Sequence, residues 1–273
     1  MTLLKAANLK KMTTDALQGK RALVAGSTQG IGLAIAKALA AMGADCTLIS
    51  RNPESLAKAV AQLPQNGRQN HRYLVADFSH YEQVKTVITE EVKNTSYAIL
   101  INNSGGPAAG PGFDARAEEF LNAFQQHLIC NQILAQAVVP GMKTIGYGRI
   151  VNIISTSVKI PLKNLGVSNT VRGAVASWAK TMSNELAPFG ITVNNVLPGA
   201  TATARLEGIV QNNINKTGKS KEAVEESMLA QIPMKRFGQP EEIAAVAAFL
   251  ASPAASYLTG VSIPVDGGRT GCL

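Results

Sequence analysis

Residues Arg21–Gly43 read RALVAGSTQGIGLAIAKALAAMG, a short apolar run followed by a glycine-rich turn and an apolar helical pattern. Gly26, Gly30 and Gly32 have the spacing GxxxGxG. Such a turn requires glycine because it bends tightly and because its backbone amides must approach a pyrophosphate group closely. The N-terminus of the helix that follows favours the same anion through its dipole. The stretch therefore predicts a strand, a dinucleotide-binding turn and a helix.

Strand-like and helix-like segments alternate along the whole chain. Strands are predicted at Arg21–Ala25, Asp45–Ser50, Arg72–Val75, Ala98–Asn102, Gly148–Ile154, Gly190–Val196 and Ser262–Val265, and helices near 31–42, 53–63, 80–94, 117–144, 168–188 and 240–251. Several strands are apolar on both faces, which is typical of a parallel sheet covered by helices on both sides. Because no linker interrupts the alternation, residues 1–273 are predicted to form a single-domain, doubly wound α/β Rossmann fold with a parallel sheet of about seven strands. Residues 1–16 form an N-terminal extension to this domain.

The composition argues against several classes of protein. The chain has 26 basic and 18 acidic residues, a net charge of +8, but no arginine-rich helix, so nucleic-acid binding is not expected. Cys46, Cys130 and Cys272 lack the spacing of a disulfide framework or a zinc site, and no metal site is predicted. Lysines at positions 5, 10 and 11 interrupt the apolar runs near the N-terminus, so we expect no signal peptide and no membrane span. The expected location is the cytoplasm.

The segment 205–237 differs from the rest because it is charged and amphipathic. It follows a predicted strand end, on the side where open α/β sheets bind their ligands. A substrate lid and an ordinary pair of surface helices both fit this composition. The lysine-rich stretch Lys216–Lys221 would either recognise phosphate on a carrier-protein or coenzyme A thioester, or form a solvated tip of the lid.

The end of the second predicted strand indicates which dinucleotide is bound. Ser50 and Arg51 stand about where an acidic residue would hydrogen-bond the ribose of NAD, roughly twenty residues beyond the glycine turn. An arginine there accommodates a 2′-phosphate instead. The sequence therefore predicts NADP(H) as cofactor, with NAD(H) as the less favoured alternative.

Several ordered motifs resemble those of the short-chain dehydrogenase/reductase family, close to the 3-oxoacyl-carrier-protein reductase type. The similarity extends from about Leu17 to Gly268. The motifs are AGSTQGIG (25–32), ADF (76–78), NNSG (102–105), GRIVNIIS (148–155), NNVLPGATAT (194–203), RFGQPEEIA (236–244) and LTGVSIPVDGG (258–268).

The resemblance implies a set of cofactor-binding residues. In the family, the aspartate after the third strand contacts the adenine, and Asp77 matches it. The proline–glycine turn after the sixth strand packs against the nicotinamide, which implies Pro198 and Gly199, and Thr203 matches a threonine that contacts the carboxamide. The full predicted set is Gly26, Ser27, Gln29, Gly30, Ile31, Gly32, Ser50, Arg51, Asp77, Phe78, Asn103, Ser104, Gly105, Arg172, Pro198, Gly199, Thr201 and Thr203.

The catalytic positions depart from the family pattern. Family members use a serine, a tyrosine, a lysine four residues later and an asparagine on the preceding long helix. The serine matches Ser155, but the other three positions hold Ser168, Arg172 and His127. A serine hydroxyl is a much poorer acid than a phenol. We therefore predict Ser155, Ser168, Arg172 and His127 as the catalytic set, with the hypothesis that protonated His127 donates through Ser168 or a water. The alternative is a partly buried structural histidine.

Three functions remain open at this point. The first is an NADP(H)-dependent oxidoreductase acting on a carbonyl or hydroxyl substrate, with a 3-oxoacyl thioester as one candidate. The second is a catalytically impaired cofactor-binding homologue that acts as a redox sensor or assembly partner, and the third is a lyase or epimerase. The resemblance also implies a homotetramer or homodimer, built on the helices near 117–144 and 168–188 and on the C-terminal strand. The apolar stripe on the second of these, Val171 to Met182, also fits a core position.

Overall fold

Seven parallel strands form one sheet in the part of the chain that the computed structural model describes, residues 15–65 and 69–272. The strand order is β3-β2-β1-β4-β5-β6-β7. The strands are β1 (Arg21–Ala25), β2 (Asp45–Ser50), β3 (Arg72–Val75), β4 (Ile99–Asn102), β5 (Gly148–Ile153), β6 (Ile191–Pro198) and β7 (Ser262–Val265). The predicted parallel α/β fold is confirmed. All but the last two residues of the predicted extension at 1–16 lie outside the described residues.

Helices connect the strands and cover both faces of the sheet. They are α1 (Gly30–Ala41), α2 (Pro53–Val60), α3 (Tyr81–Glu91), α4 (Ala117–Phe124), α5 (Cys130–Ile145), α6 (Gly166–Leu186), α7 (Ala204–Thr217), α8 (Lys221–Leu229) and α9 (Pro240–Ala251). Within the described ranges, no helix combines the length and apolar character that a bilayer crossing requires.

The core is divided by the sheet into two apolar layers. Val24 of β1 packs in the layer that contains α1 and α9, whereas the neighbouring Leu23 packs in the layer that contains α3, α5 and α6. This alternation follows from the period of two in a strand, and it explains why the central strands are apolar on both faces. The stripe on α6 belongs to the core, since Val171, Val175 and Ala179 are buried.

A ladder of amide side chains crosses the sheet near the carboxyl ends of its strands. Asn102 Nδ2 donates to Asn152 Oδ1 at 2.8 Å, and Asn152 Nδ2 donates to Asn195 Oδ1 at 2.9 Å. Asn195 Nδ2 in turn donates to Ser262 Oγ at 3.0 Å. The register places each of these residues directly opposite the next on neighbouring strands. The three asparagines are buried, so these hydrogen bonds hold β4, β5, β6 and β7 in one alignment.

The prediction of one continuous helix at 117–144 is wrong. A π-helical turn at Gln125–Ile129 separates α4 from α5. Such a turn adds one residue to the helix and changes the direction of every side chain beyond it. The predicted interval contains His127, whose placement therefore could not be inferred by counting along a regular helix.

The segment 205–237 forms a helical hairpin. Thr203 Oγ1 accepts from the Leu206 amide at the start of α7, and Ser220 Oγ accepts from the Ala223 amide at the start of α8. The two helices pack through Leu206, Val210 and Val224. These contacts give the segment a small core of its own beside the carboxyl end of β6.

Candidate active site

A cavity of about 1050 Å³ opens at the carboxyl ends of the strands. The residues that follow β1, β2, β3, β4, β5 and β6 all contribute to its wall. The strand order reverses between β1 and β4, and ligands of open parallel sheets bind at this reversal point. Leu206, Ile209 and Met228 of the helical hairpin contribute to another part of the wall.

The glycine turn forms the floor of the cavity at the start of α1. Gly26 and Gly30 have φ angles of 57° and 55°, which glycine adopts without strain. A Cβ at Gly32 would overlap the carbonyl oxygen of Gly26, so this position accepts no side chain. The side chain of Gln29 makes no capping hydrogen bond to α1 within the described chain. The amides of the first helical turn are therefore open to an anion, and the turn fits the pyrophosphate of a dinucleotide.

Ser27 is predicted to face the cofactor, but the structure directs its side chain away from the cavity. It is fully buried, and its hydroxyl donates to the Val24 carbonyl at 2.8 Å instead of facing the cavity. The next residue, Thr28, lines the cavity, and the sequence analysis did not include it. Both residues are small and hydroxylated, so only the turn geometry distinguishes them. The predicted Gln29, Gly30, Ile31 and Gly32 do line the cavity.

Ser50, Arg51, Asp77 and Phe78 line one end of the cavity, after β2 and β3. The amide of Ser79 donates to the Asp77 carboxylate, and this hydrogen bond together with the nearby Arg51 guanidinium lowers the pKa of Asp77 below its ordinary value. Arg51 is exposed and forms no ion pair with any described residue. Its guanidinium is therefore available to a phosphate at this end.

Asn103, Ser104 and Gly105 follow β4 and line the middle of the cavity. The side-chain Nδ2 of Asn103 donates to the carbonyl oxygens of Ala25 and Gly26 at 3.3 and 2.9 Å. It thereby ties the end of β4 to the glycine turn. The structure brings these three predicted residues and the turn into one wall.

The last residue of β6 and the residues after it lie opposite the glycine turn. Pro198, Gly199, Thr201 and Thr203 all line the cavity. A Cβ at Gly199 would come within 2.7 Å of the Asp266 Cα, so glycine is needed where the chain passes close to the end of β7. The Thr203 methyl group lies 3.3 Å from the Cβ position of Gly30, which places the two walls in contact at this point.

Ser155, Ser168 and Arg172 meet at the part of the wall formed by β5 and α6. Ser155 follows β5, and its Oγ accepts from the Ser157 amide at 3.1 Å. Arg172 Nε donates to Ser168 Oγ at 3.3 Å, and Arg172 Nη1 donates to the carbonyl oxygens of Ile153 and Ile154. Burial and the nearby Arg205 lower the pKa of Arg172 to about 10, so it remains charged near neutral pH.

His127 does not join this group and is a second correction. Only 5% of it is exposed, it is not part of the cavity wall, and its Nδ1 lies 2.7 Å from Ser104 Oγ. Its Nε2 is buried without a hydrogen-bond partner among the described residues. Burial, followed by the charges of Arg172 and Arg205, lowers the pKa of His127 to about 3. The imidazole is therefore neutral near pH 7 and lacks the acidic imidazolium proton that the relay needs. The preceding residue, Gln126, lines the cavity instead.

Arg205 and Gly106 are site residues that the sequence analysis missed. Both line the cavity, and a Cβ at Gly106 would lie 3.3 Å from the Nη2 atoms of both Arg172 and Arg205. Arg205 stands in the segment predicted as a lid, but no local pattern marks it as facing inward. Across the described residues there is no cluster of histidine, cysteine and carboxylate groups that could hold a metal ion.

Comparison with known proteins gives the same family as the motifs. The family described as enoyl-(acyl carrier protein) reductase matches residues 25–270. NADPH-dependent reductase BacG of Bacillus subtilis is 33% identical over 91% of this chain and 97% of its own, and 3-oxoacyl-[acyl-carrier-protein] reductase FabG of Vibrio cholerae is 34% identical over 92% and 98%. The structure of L-sorbose reductase from Gluconobacter frateurii, complexed with NADPH and L-sorbose, has a TM-score of 0.88 at 28% identity, covering 96% of this chain and all of that one.

The fold and the cavity define a nucleotide-dependent oxidoreductase, since a dinucleotide-binding turn and a hydroxyl-lined wall share one space at the reversal point of the sheet. The chain belongs to the short-chain dehydrogenase/reductase family. This membership confirms the family predicted from the motifs, and it favours an enzyme over a structural protein.

Proposed function

We propose that the protein is an NADP(H)-dependent oxidoreductase that reduces a carbonyl compound or oxidises the corresponding alcohol. The observation that carries this proposal is that one cavity contains both the glycine turn with Arg51 and the group Ser155, Ser168 and Arg172. Similar proteins named as NADPH-dependent or solved with NADPH support the choice of cofactor.

Each part of the cofactor has matching residues in the cavity. The amides of Gly30 and Ile31 at the start of α1 would hold the pyrophosphate, and Arg51 would hold the 2′-phosphate of the adenine ribose. Asp77 would contact the adenine, and Pro198–Gly199 would support the nicotinamide. When bound, the reduced nicotinamide supplies the hydride.

The residues of this chain bind the carbonyl group and stabilise the charge that develops on its oxygen. Ser155 and Ser168 present hydroxyl groups to the cavity, and Arg172 adds a fixed positive charge beside Ser168. When hydride reaches the carbonyl carbon, the π electrons move to the oxygen, and these donors stabilise the resulting alkoxide. A proton from water entering the open cavity completes the alcohol.

This arrangement replaces the tyrosine of the family by electrostatic stabilisation. The earlier hypothesis of a donor relay from His127 lacks support, because the imidazole is neutral and faces Ser104 rather than Ser168. General acid catalysis is typically worth about 10²- to 10⁴-fold, so we expect slow turnover compared with a tyrosine enzyme. A 3-oxoacyl thioester remains one candidate substrate, supported by the name of the FabG relative and by Lys216 in the cavity wall.

The second candidate function is a cofactor-binding sensor without turnover. It is favoured by the position of Arg172 Nη1, which is engaged by two backbone carbonyl groups and so is not free to bind a ribose. The two functions differ in one result. An enzyme oxidises bound NADPH when a carbonyl compound is added, whereas a sensor binds NADPH without this reaction.

Calorimetric titration with NADPH and NADH tests the cofactor assignment. Loss of the Arg51 charge in Arg51→Gln should weaken NADPH binding about 10- to 100-fold, because a charge-assisted hydrogen bond contributes about 1.5–3 kcal/mol. NADH binding should change less than about threefold. The control is Arg21→Gln, since Arg21 is an exposed arginine at the opposite end of β1. Equal loss for both cofactors would refute the 2′-phosphate assignment.

A screen of aldehydes, ketones and 3-oxoacyl thioesters, followed by NADPH absorbance at 340 nm, tests the reaction. Turnover that decreases strongly in Ser155→Ala supports the enzyme, whereas tight binding without turnover supports the sensor. The expected homotetramer or homodimer stays a prediction, which light scattering on the purified protein would test.

A further inference from the structure

Positive charge dominates the wall of the cavity away from the adenine end. Lys163, Arg172, Arg205, Lys216 and Arg269 line it there, and they come from α6 and the loop before it, from α7 and from the segment after β7. Among the described residues of the wall, Asp77 is the single carboxylate, and it lies beside Arg51 at the other end. The substrate end therefore has cations from separate elements and no anion to balance them.

Arg172 and Arg205 lie beside each other within this group. Both Nη2 atoms lie 3.3 Å from the position that a Cβ at Gly106 would occupy. Arg205 Nη2 donates to the Pro107 carbonyl at 2.6 Å, which orients its guanidinium along the loop after β4. Neither arginine forms an ion pair with a described residue.

Gly106 keeps the space between the two guanidinium groups open. Its φ is not positive, so the backbone conformation itself does not require glycine. A side chain there would instead stand against both arginines. A Cβ at Gly106 would therefore narrow the small gap that the two cations bound.

Two like charges beside the same position disfavour each other, and the effect is stronger for Arg172, which is partly buried and less screened by water than the exposed Arg205. Burial lowers the pKa of Arg172 most, and the positive charge of Arg205 lowers it further. An anion between the two groups would remove this repulsion. Arg172 Nη2 makes no hydrogen bond with a described residue, and neither do Nε and Nη1 of Arg205, so both guanidinium groups keep N–H donors for carboxylate or phosphate oxygens.

We propose that Arg172 and Arg205 bind an anionic group, a carboxylate or a phosphate, carried by the carbonyl substrate. This inference rests on the proposed function for the identity of the reacting group, but not for the binding of the anion itself. The substrate class is accordingly an oxo acid or a phosphorylated carbonyl compound, with Lys163, Lys216 and Arg269 adding to the attraction.

Binding of malonate and of inorganic phosphate is tested first, by calorimetry on protein saturated with NADP⁺. Saturation occupies the phosphate site at Arg51, so the heat reports on the substrate end. We expect Arg205→Gln to weaken binding of at least one of the two anions tenfold or more, whereas Arg21→Gln leaves it unchanged. Absence of binding to wild-type protein, or equal binding to Arg205→Gln, overturns the proposal without any reference to turnover.

Turnover then distinguishes the sources of the anion. The substrates are a 3-oxo acid, its methyl ester, its coenzyme A thioester, and dihydroxyacetone with and without its phosphate. We expect kcat/KM to be at least tenfold higher for one anionic compound than for its neutral partner, and we expect Arg205→Gln to abolish this preference. The anion site is overturned if NADPH is oxidised at equal rates by the 3-oxo acid and its methyl ester, and also at equal rates by dihydroxyacetone and its phosphate. The proposed oxidoreductase activity would be supported by that same result. Lack of reaction with every compound overturns the oxidoreductase, and the calorimetric result alone then decides on the anion site.

Discussion

Truncation of Asn152 should destabilise the fold strongly, because this residue is the centre of the amide ladder. Its Oδ1 accepts from Asn102, its Nδ2 donates to Asn195, and the side chain is fully buried. Asn152→Ala leaves one donor and one acceptor buried without partners. Each such group costs about 1–3 kcal/mol. We therefore expect the free energy of unfolding to fall by about 4 kcal/mol, a large share of the total stability of a typical domain.

The assay is urea unfolding followed by circular dichroism at 25 °C and pH 7.5, at one fixed protein concentration. Asn184→Ala is the matched control, since Asn184 is an exposed asparagine on α6, and it should change the stability by about 0.5 kcal/mol or less. A loss below about 1 kcal/mol in Asn152→Ala would refute the reasoning. It would mean that water or local rearrangement replaces both hydrogen bonds at little cost.

Three further results are expected. Gly32→Ala should weaken NADPH binding more than tenfold in calorimetry, because the added Cβ would overlap the backbone of Gly26. The control Gly173→Ala should leave NADPH binding unchanged, because its Cβ has no neighbour within 4 Å. Equal NADPH binding by the two variants would contradict the argument that the turn must approach the cofactor closely. Ser155→Ala should lower kcat about 10²- to 10³-fold in the NADPH absorbance assay, with the exposed Ser177→Ala as control, and unchanged turnover would remove Ser155 from the site. His127 binds a proton near pH 6.5 when unfolded but only near pH 3 when folded, so the free energy of unfolding should fall as the pH is lowered through this window, by about 2 kcal/mol from pH 7.5 to 5.0. Urea midpoints at pH 7.5 and 5.0 should differ less in His127→Gln, and an equal difference would show that the imidazole is protonated in the folded state.

The sheet could be predicted well because its signals are local. Strands β1, β2, β3 and β7 have the predicted bounds, since each is a short apolar or β-branched run next to a turn. The glycine turn was also predictable, because the steric demands at Gly26 and Gly32 leave glycine as the only residue that fits. Such constraints act between residues that are close in sequence or fixed by a tight turn.

The remaining features depend on contacts that the sequence does not display. The lowered pKa of His127 follows from its burial at a π-helical turn and from the charges of two distant arginines, and none of these is visible in a window around it. The backbone conformation of the glycine turn directs the Ser27 side chain into the protein interior and the Thr28 side chain into the cavity. Arg205 is held at the cavity by the Pro107 carbonyl, which is about a hundred residues away in the sequence.

The π-helical turn at Gln125–Ile129 also bears on how this site responds to changes in chain length. Each residue of a regular helix advances the side chains by about 100°. Deletion of one residue from the turn would therefore rotate α4 by about that angle relative to α5. Ala123 would leave its place beside Val167 and Val171, and Gln126 would leave the cavity wall. At this helix, a single deletion would therefore change the shape of the substrate end through side chains that are themselves unaltered.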